Sequence, residues 1–213
     1  MSRASPVELL VLHAVRVLGF ADTAAVAHRF AFDAATTGEF LLDAQANWCV
    51  AYTTFAGTAG WSLTDRGRRE NERQLAAQLA RTSRAGEVRD AYDVFLPLNG
   101  LVLRACTDWQ LRPAPAHRLS PNDHTDPGWD DDVLNVLHGV SQDLAPLIER
   151  LADVLTRFRG YDIRFNAALK RARAGHTAWV DRTDVDSCHR VWFELHEDLV
   201  ATLGVDRQAT VEP

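Results

Sequence analysis

The chain has 213 residues, of which 46% are hydrophobic and 24% charged, and its net charge is −6. This composition is typical of a globular protein with one large or two small cores. No apolar run approaches the roughly 20 residues that cross a bilayer, so we expect a cytoplasmic protein. The three cysteines are odd in number and far apart, which argues against a disulfide framework and a zinc site.

Charge is distributed unevenly along the chain. Residues 1–80 contain 7 basic and 8 acidic side chains, and the remainder contains 16 basic and 21 acidic side chains. The acidity therefore lies mainly in the second half. Nucleic-acid-binding proteins usually present a basic face, so the total charge weighs against a nucleic-acid partner.

The first third of the chain predicts three helices in succession. They cover residues 6–18, 23–30 and 34–47. In the first, apolar residues recur at helical spacing, and Pro6 occupies the first turn, where its missing N–H costs nothing. Asp22 or Thr23 can cap the second helix, and Asp33 can cap the third.

A β-hairpin and a fourth helix follow. Residues 50–55 are rich in β-branched and aromatic types, which is typical of a strand. Residues 56–60 are small enough for a hairpin tip, and residues 61–64 alternate large apolar and small polar types, as a return strand would. Thr64 can cap a polar helix that begins at Asp65 and continues to about residue 85.

This order of elements is that of a winged helix-turn-helix domain. The segment Trp61-Ser62-Leu63-Thr64-Asp65-Arg66-Gly67-Arg68 resembles the "LT-x-x-G" end of the wing in MarR-like and PadR-like transcriptional regulators. The resemblance covers residues 6–79. It implies a winged helix in residues 1–85, made of three helices and a hairpin wing, which binds duplex DNA as a homodimer through its third helix.

The candidate DNA-binding residues follow from this arrangement, since the third helix enters the major groove and the wing contacts the backbone or the minor groove. They are Arg29, Thr36, Thr37, Gln45, Asn47, Thr58, Arg66, Arg68 and Arg69. The third helix itself carries Glu39 and Asp43 and no Arg or Lys, whereas phosphate neutralisation supplies most DNA affinity. A winged helix used for protein contact is therefore the alternative.

Residues 86–204 predict an all-α helical bundle, so the fold class is mainly α. Residues 87–111 form a helical stripe that Pro97 should kink or split, and residues 112–127 are rich in proline and turn formers, as in a loop. Apolar residues spaced alternately by four and three predict a helix over residues 130–158. This seam packs on the 87–111 helix or pairs with its copy in a dimer.

Two further helices and a tail complete the prediction. A basic helix covers residues 161–174, and Asp184 or Asp186 can cap a last helix through Leu203. Residues 205–213 are expected to be a disordered tail.

A small-molecule effector is a possible partner of the helical domain. Its candidate ligands are Trp109, His124, His189, Trp192, Phe193 and His196. The seven-residue separation of His189 and His196 is too long for one metal ion, so no metal or cofactor is predicted. Residues 122–126 are favoured as turn and cap formers over a metal or effector site. Cys106 is favoured as a core residue over a nucleophile, because no activating base lies nearby in the sequence.

Together these features favour a one-component transcriptional regulator, not an enzyme. The alternative is a protein-interaction module that keeps the winged helix without DNA binding. A third hypothesis is an enzyme or metal-binding protein that uses the helical domain.

Overall fold

The computed structural model describes residues 3–55, 57–114 and 117–205. The fold is mainly helical, with two small antiparallel hairpins in these ranges. The expected disordered tail, apart from Val205, lies outside the described residues. No helix in the described ranges is both long and apolar enough to cross a membrane.

The elements follow one another in a simple order. Their bounds are α1 (Val7–Leu18), α2 (Thr23–Arg29), α3 (Ala34–Ala46), β1 (Val50–Phe55), β2 (Thr58–Leu63), α4 (Asp65–Ala80), α5 (Ala85–Gln110), β3 (Leu111–Ala114), β4 (His117–Pro121), α6 (Pro127–Val154), a 3-10 turn (Thr156–Phe158), α7 (Tyr161–Arg173), α8 (Ala178–Asp181) and α9 (Cys188–Leu203).

The chain divides into two compact units. The first unit contains the chain up to Val88, Val154–Arg157, and the chain from His196 onward; the second unit contains Arg89–Asp153 and Phe158–Leu195. The C-terminal half of α9 therefore belongs to the first unit, although it follows the whole of the second in sequence.

The starts of α2, α3 and α4 are capped as their sequences predict. Asp22 accepts a hydrogen bond from the Ala25 N–H at 2.7 Å, and Asp33 accepts one from the Thr36 N–H at 2.9 Å. Thr64 Oγ1 accepts one from the Gly67 N–H at 3.0 Å. Each cap satisfies an N–H that the helix itself leaves unpaired.

The β1–β2 hairpin gains a third partner from the segment between α1 and α2. Val50 pairs with Leu63 at its base. On the other side of β2, the backbones of Ala21 and Trp61 exchange two hydrogen bonds, of 3.2 and 2.7 Å. The buried Trp61 indole donates to Thr23 Oγ1 at 3.0 Å, so Thr23 anchors the sheet while Asp22 caps α2.

The heptad-like seam of α6 is core. Val133, Leu137, Val140, Leu144, Leu147, Leu151, Val154 and Phe158 are all buried. The helix ends at Val154 and a 3-10 turn carries the last seam residue, so the predicted single helix to residue 158 is slightly too long. Because the seam is covered within one chain, it is not the surface on which a second copy pairs.

The second half is not all-α, contrary to the prediction. Strands β3 and β4 form an antiparallel hairpin inside the segment that was expected to be a loop. Pro113 lies at the register shift between Arg112 and Ala114. In a two-stranded ribbon both strands are edges, so a proline without an N–H is tolerated. Pro97, in turn, does not split its helix, since α5 runs from Ala85 to Gln110.

Candidate functional site

Helix α3 is exposed along most of its length. Only Thr37 and Leu41 of its thirteen residues are buried. Of the predicted DNA-binding residues, Thr36, Gln45 and Asn47 lie on the exposed surface. Thr37 does not, because its hydroxyl is buried and donates to the Asp33 carbonyl at 2.8 Å.

The exposed surface of α3 carries negative charge. Glu39 and Asp43 are both solvent-exposed, and the helix contains no Arg or Lys to offset them. Thr58 is exposed at the first position of β2. The return strand therefore begins at Thr58 and not at Trp61, so the predicted tip over residues 56–60 was too long. Positive charge for a phosphate backbone must therefore come from neighbouring elements.

Helix α4 carries exposed positive side chains. Arg66, Arg68 and Arg69 are exposed in its first turns. Arg68 leans toward Glu197, with Nη1 and Oε1 3.7 Å apart. Arg66 and Arg69 instead line a groove with Asp43 of α3 and with Asn47, which follows that helix. Two of the predicted arginines thus lie beside the exposed helix.

This groove has a volume of about 750 Å³. Its apolar residues include Val11, Leu12 and Leu41, from α1 and α3. On α4, Arg73 pairs with Glu70 through two hydrogen bonds of 2.8 and 2.7 Å. These bonds lower the pKa of Glu70, so Arg73 is neutralised, whereas no ion pair of Arg66 or Arg69 occurs within 4.0 Å in the described residues.

Arg29 differs from the other predicted arginines. Its guanidinium lies 4.6 Å from the centroid of the Phe30 ring and its side chain is half-buried. Its charge also helps to lower the pKa of Asp198, which is completely buried. The charge of Arg29 therefore stabilises the ionised form of a buried carboxylate in the first unit.

Asp198 is the centre of a buried polar cluster that sequence reasoning missed. The cluster consists of His13, Asn71, Gln78, Arg157, Asp198 and Thr202. Oδ1 of Asp198 lies 3.1 Å from His13 Nε2 and accepts a hydrogen bond from Arg157 Nε at 3.1 Å. Burial raises the pKa of Asp198, but the charges of His13 and Arg157 outweigh it and hold that pKa below the usual range.

The other members of the buried polar cluster are hydrogen-bond partners of the Arg157 and His13 side chains. Arg157 donates to Gln78 Oε1 at 2.7 Å and to Thr202 Oγ1 at 2.6 Å. His13 Nδ1 lies 3.2 Å from Asn71 Oδ1. The cluster joins α1, α4, the 3-10 turn and the end of α9, and so fixes the helices that support α3.

The predicted effector ligands do not form one site. Trp192 is core, since its ring lies 4.8 Å from Phe95 and 5.8 Å from Phe165, and its indole donates to Asn99 at 2.9 Å. Phe193 is exposed, and His189 and His196 are half-buried. Only Trp109 and His124 lie together, with ring centroids 4.6 Å apart.

Trp109 and His124 line a pocket of about 300 Å³, which we call the His124 pocket. It is also lined by Gln110, Asn122, Thr177, Ala178, Asp181 and Arg182. His124 Nδ1 lies 2.9 Å from Asp130 Oδ2, and Asn122 Nδ2 donates to Asp130 Oδ1 at 2.8 Å. The histidine ring is therefore oriented by a carboxylate, which is itself held by an amide.

The neighbouring loop uses its polar groups for turns and caps, as favoured above. Asp123 Oδ1 accepts from the Thr125 N–H at 3.2 Å and from its hydroxyl at 2.8 Å. Asp126 Oδ1 accepts from the Gly128 N–H at 3.1 Å at the start of α6. In the ranges the structure covers, no three His, Cys, Asp or Glu side chains are placed to hold a metal ion.

The cysteines are buried and none is in a disulfide in the described residues. Burial raises the pKa of Cys106 to about 12, with a further contribution from Asp181. Burial also raises the pKa of Cys188. A thiol with such a pKa stays protonated at neutral pH, and the thiolate is the nucleophile.

We therefore expect Cys106 and Cys188 to resist alkylation in the folded protein. Iodoacetamide at pH 8, followed by peptide mass spectrometry, should modify neither cysteine until denaturant is added. Modification of Cys106 in the folded protein as fast as in the unfolded chain would contradict its burial and reopen the nucleophile hypothesis.

Comparisons of the chain with protein-family models, with curated proteins and with solved structures found no match. The resemblance to MarR-like and PadR-like regulators thus stays a prediction that rests on the sequence segment 61–68 and on the order of the elements.

Proposed function

We propose that the first unit is a winged helix and that the protein is a cytoplasmic transcriptional regulator that binds duplex DNA as a homodimer. The observation that carries the proposal is the Ala21–Trp61 backbone pair, which adds the segment between α1 and α2 to the β1–β2 hairpin. A small sheet of this kind beside three helices is the architecture of a winged helix. It leaves α3 exposed, as a helix that enters the major groove must be.

The charges of α4 give the proposal its electrostatic basis. Arg66 and Arg69 flank the groove that α3 shares with α4, and both are exposed. From this position they can reach phosphates beside a helix inserted in the major groove. Thr36, Gln45 and Asn47 supply polar groups for base edges, and Arg68 is held closer to Glu197.

The double variant Arg66→Ala/Arg69→Ala should bind DNA about ten- to a hundredfold more weakly than the native protein. Each phosphate contact contributes roughly 0.9 to the slope of log K against log salt, so the slope should fall by about 2. The measurement is fluorescence anisotropy with duplex DNA from immediately upstream of the gene and with a scrambled duplex, across a salt series.

A matched control is the double variant Arg89→Ala/Arg150→Ala. It removes the same charge from two exposed arginines of α5 and α6, so nonspecific electrostatics would weaken both variants alike. Equal loss in the two variants, or no DNA binding by the folded native protein at low salt, would refute the proposed DNA-binding surface.

A protein-docking module is the second candidate function. Leu42 is 60% exposed, and Trp48, two residues after the end of α3, is 74% exposed. Trp48 also has φ of 59°, a left-handed conformation that is costly for a bulky residue. Apolar side chains next to acidic ones suit a protein surface better than a phosphate backbone.

The same anisotropy series separates the two functions. If the protein is a docking module, it should not bind duplex DNA, and the Arg66→Ala/Arg69→Ala change should not alter the anisotropy. If α3 is the helix that reads the DNA and Trp48 is outside the groove, Trp48→Ala should leave the DNA affinity unchanged. Retained DNA affinity in Trp48→Ala with loss in the arginine variant would favour the regulator.

A further inference from the structure

The outer face of α5 and α6, in the second unit, carries apolar side chains that the fold leaves exposed. Leu101 of α5 is 36% exposed and Val136 of α6 is 41% exposed. Both line a groove of about 220 Å³ formed by these two helices, which we call the α5–α6 groove. Trp129, which is half-buried, lines it too. Because these side chains are accessible, another molecule can contact them without any change in the fold.

The exposed apolar surface continues beyond the groove along both helices. Val94 is exposed and lies seven residues before Leu101, which is almost two turns and therefore the same side of α5. Gly139 is exposed three residues after Val136 on α6, and it has no side chain to hinder a close approach. We call these four residues the apolar strip. Since it covers about 10 Å of α5, the apolar strip fits a helix of a partner protein better than a small molecule.

The α5–α6 groove is also lined by charges of both signs. Arg104 and Asp108 of α5 and Asp132 of α6 are all exposed. Their side chains form no ion pair within 4.0 Å in the part of the chain that the structure describes. Two carboxylates beside one guanidinium disfavour a nucleic acid or an anionic lipid surface. Uncommitted charges of both signs next to an apolar strip instead make this surface complementary to itself.

We propose that a second copy of this chain docks on the α5–α6 groove and the apolar strip, across a two-fold axis. In such an interface the same patch serves both copies and each contact occurs twice. Leu101 of one copy packs into the groove of the other, and Arg104 of one copy pairs with Asp132 of the other. The apolar residues form the centre and the charged residues form the rim, as is usual in protein interfaces.

This inference rests on the homodimer of the proposed function and names the surface that forms it. Sedimentation velocity of the protein without DNA, over a concentration series, measures the dimer dissociation constant. We expect the native protein to reach twice the mass of the chain. Leu101→Asp should raise the dissociation constant about thirtyfold or more, because it buries a carboxylate without a partner at the centre of the interface.

Leu103→Asp is the matched control for this variant. Leu103 lies on the same helix and is 51% exposed, but it does not line the groove. The substitution adds the same charge to α5, so the control variant should dimerise as tightly as the native protein. Circular dichroism shows whether both variants keep the helical content of the native chain.

An exchange of charges tests the proposed ion pair. Arg104→Glu and Asp132→Arg each place like charges opposite one another twice in the dimer, so each should raise the dissociation constant about tenfold. The double variant Arg104→Glu/Asp132→Arg exchanges the two charges and should recover most of the loss. A general effect of charge on association gives no such recovery.

Three results would overturn the proposal. They are a native protein that stays monomeric, equal effects of Leu101→Asp and Leu103→Asp, and a double charge variant that associates no better than the single variants. A native dimer with equal effects in the two leucine variants refutes only this surface and leaves the proposed homodimer standing. The sedimentation experiment uses no DNA, so the anisotropy series tests the DNA-binding part of the proposed function separately.

Discussion

Replacing Asp198 with alanine is expected to destabilise the protein by about 3–5 kcal/mol, because it leaves two buried partners without their counter-charge. The Arg157 and Asp198 side chains are both fully buried and Nε donates to Oδ1 at 3.1 Å. His13 loses the same oxygen at 3.1 Å. The free energy of unfolding, measured with urea, reports the effect.

The matched control is Asp184→Ala, which removes an aspartate that also pairs with an arginine. The Arg182 and Asp184 side chains are 63% and 62% exposed, and surface pairs of this kind contribute roughly 0–1 kcal/mol. Similar losses in the two variants would show that the buried polar cluster does not hold the first unit together.

The buried carboxylate of Asp198 also makes the free energy of unfolding depend on pH. Because the pKa of Asp198 is held below its usual range, the folded protein binds its proton less readily than the unfolded chain, whose aspartates titrate near about 4. The stabilisation is therefore complete above that pH and is lost as the pH falls below it. In Asp198→Asn this acid-dependent part of the unfolding free energy should disappear.

Replacing Gly67 with alanine is expected to cost about 3 kcal/mol or more, or to prevent folding, because the site is overpacked against backbone. A Cβ at this position would overlap the carbonyl oxygen of Cys49 and lie 2.7 Å from its carbon. That carbonyl cannot retreat, since it accepts from the Thr64 N–H at 3.1 Å. Thermal unfolding followed by circular dichroism measures the change.

Gly139→Ala is the control for the glycine substitution. Gly139 lies within α6, and apart from its chain neighbours and the backbone of its own helix no atom comes within 4 Å of an added Cβ there. Alanine is the better helix former by about 1 kcal/mol, so this variant should be as stable as the native protein or slightly more so. A Gly67→Ala protein with unchanged stability would contradict the close approach of α4 to Cys49.

Most of the helices could be predicted because the residues that determine them lie close together in the sequence. Capping residues such as Asp33 and Thr64 lie next to the helices they start, and the spacing of the α6 seam is visible within one segment. The β3–β4 hairpin escaped prediction because prolines such as Pro113 and Pro121 are turn signals in a sequence. Only the pairing of the strands shows that edge positions accept these two.

The site residues were harder to predict, because their partners are distant. Nothing near His13 in the sequence indicates Asp198, and a charged residue in an amphipathic helix is ordinarily a surface residue. Trp109 and His124 were grouped as candidate ligands, and the structure places their rings 4.6 Å apart, but their role stays a prediction. Trp192 was grouped with them because aromatic and histidine side chains share its helix, whereas its spacing with the apolar residues of α9 indicates its place in the core.

The buried polar cluster also has a consequence for how the protein is made. Chains grow from the N-terminus at roughly 5–20 residues per second, so His13 leaves the ribosome roughly 10–40 s before Asp198. During that time α1 and α4 carry polar side chains whose partners have not yet been synthesised. The native packing of α1 and α4 therefore cannot be completed until the end of α9 has been synthesised.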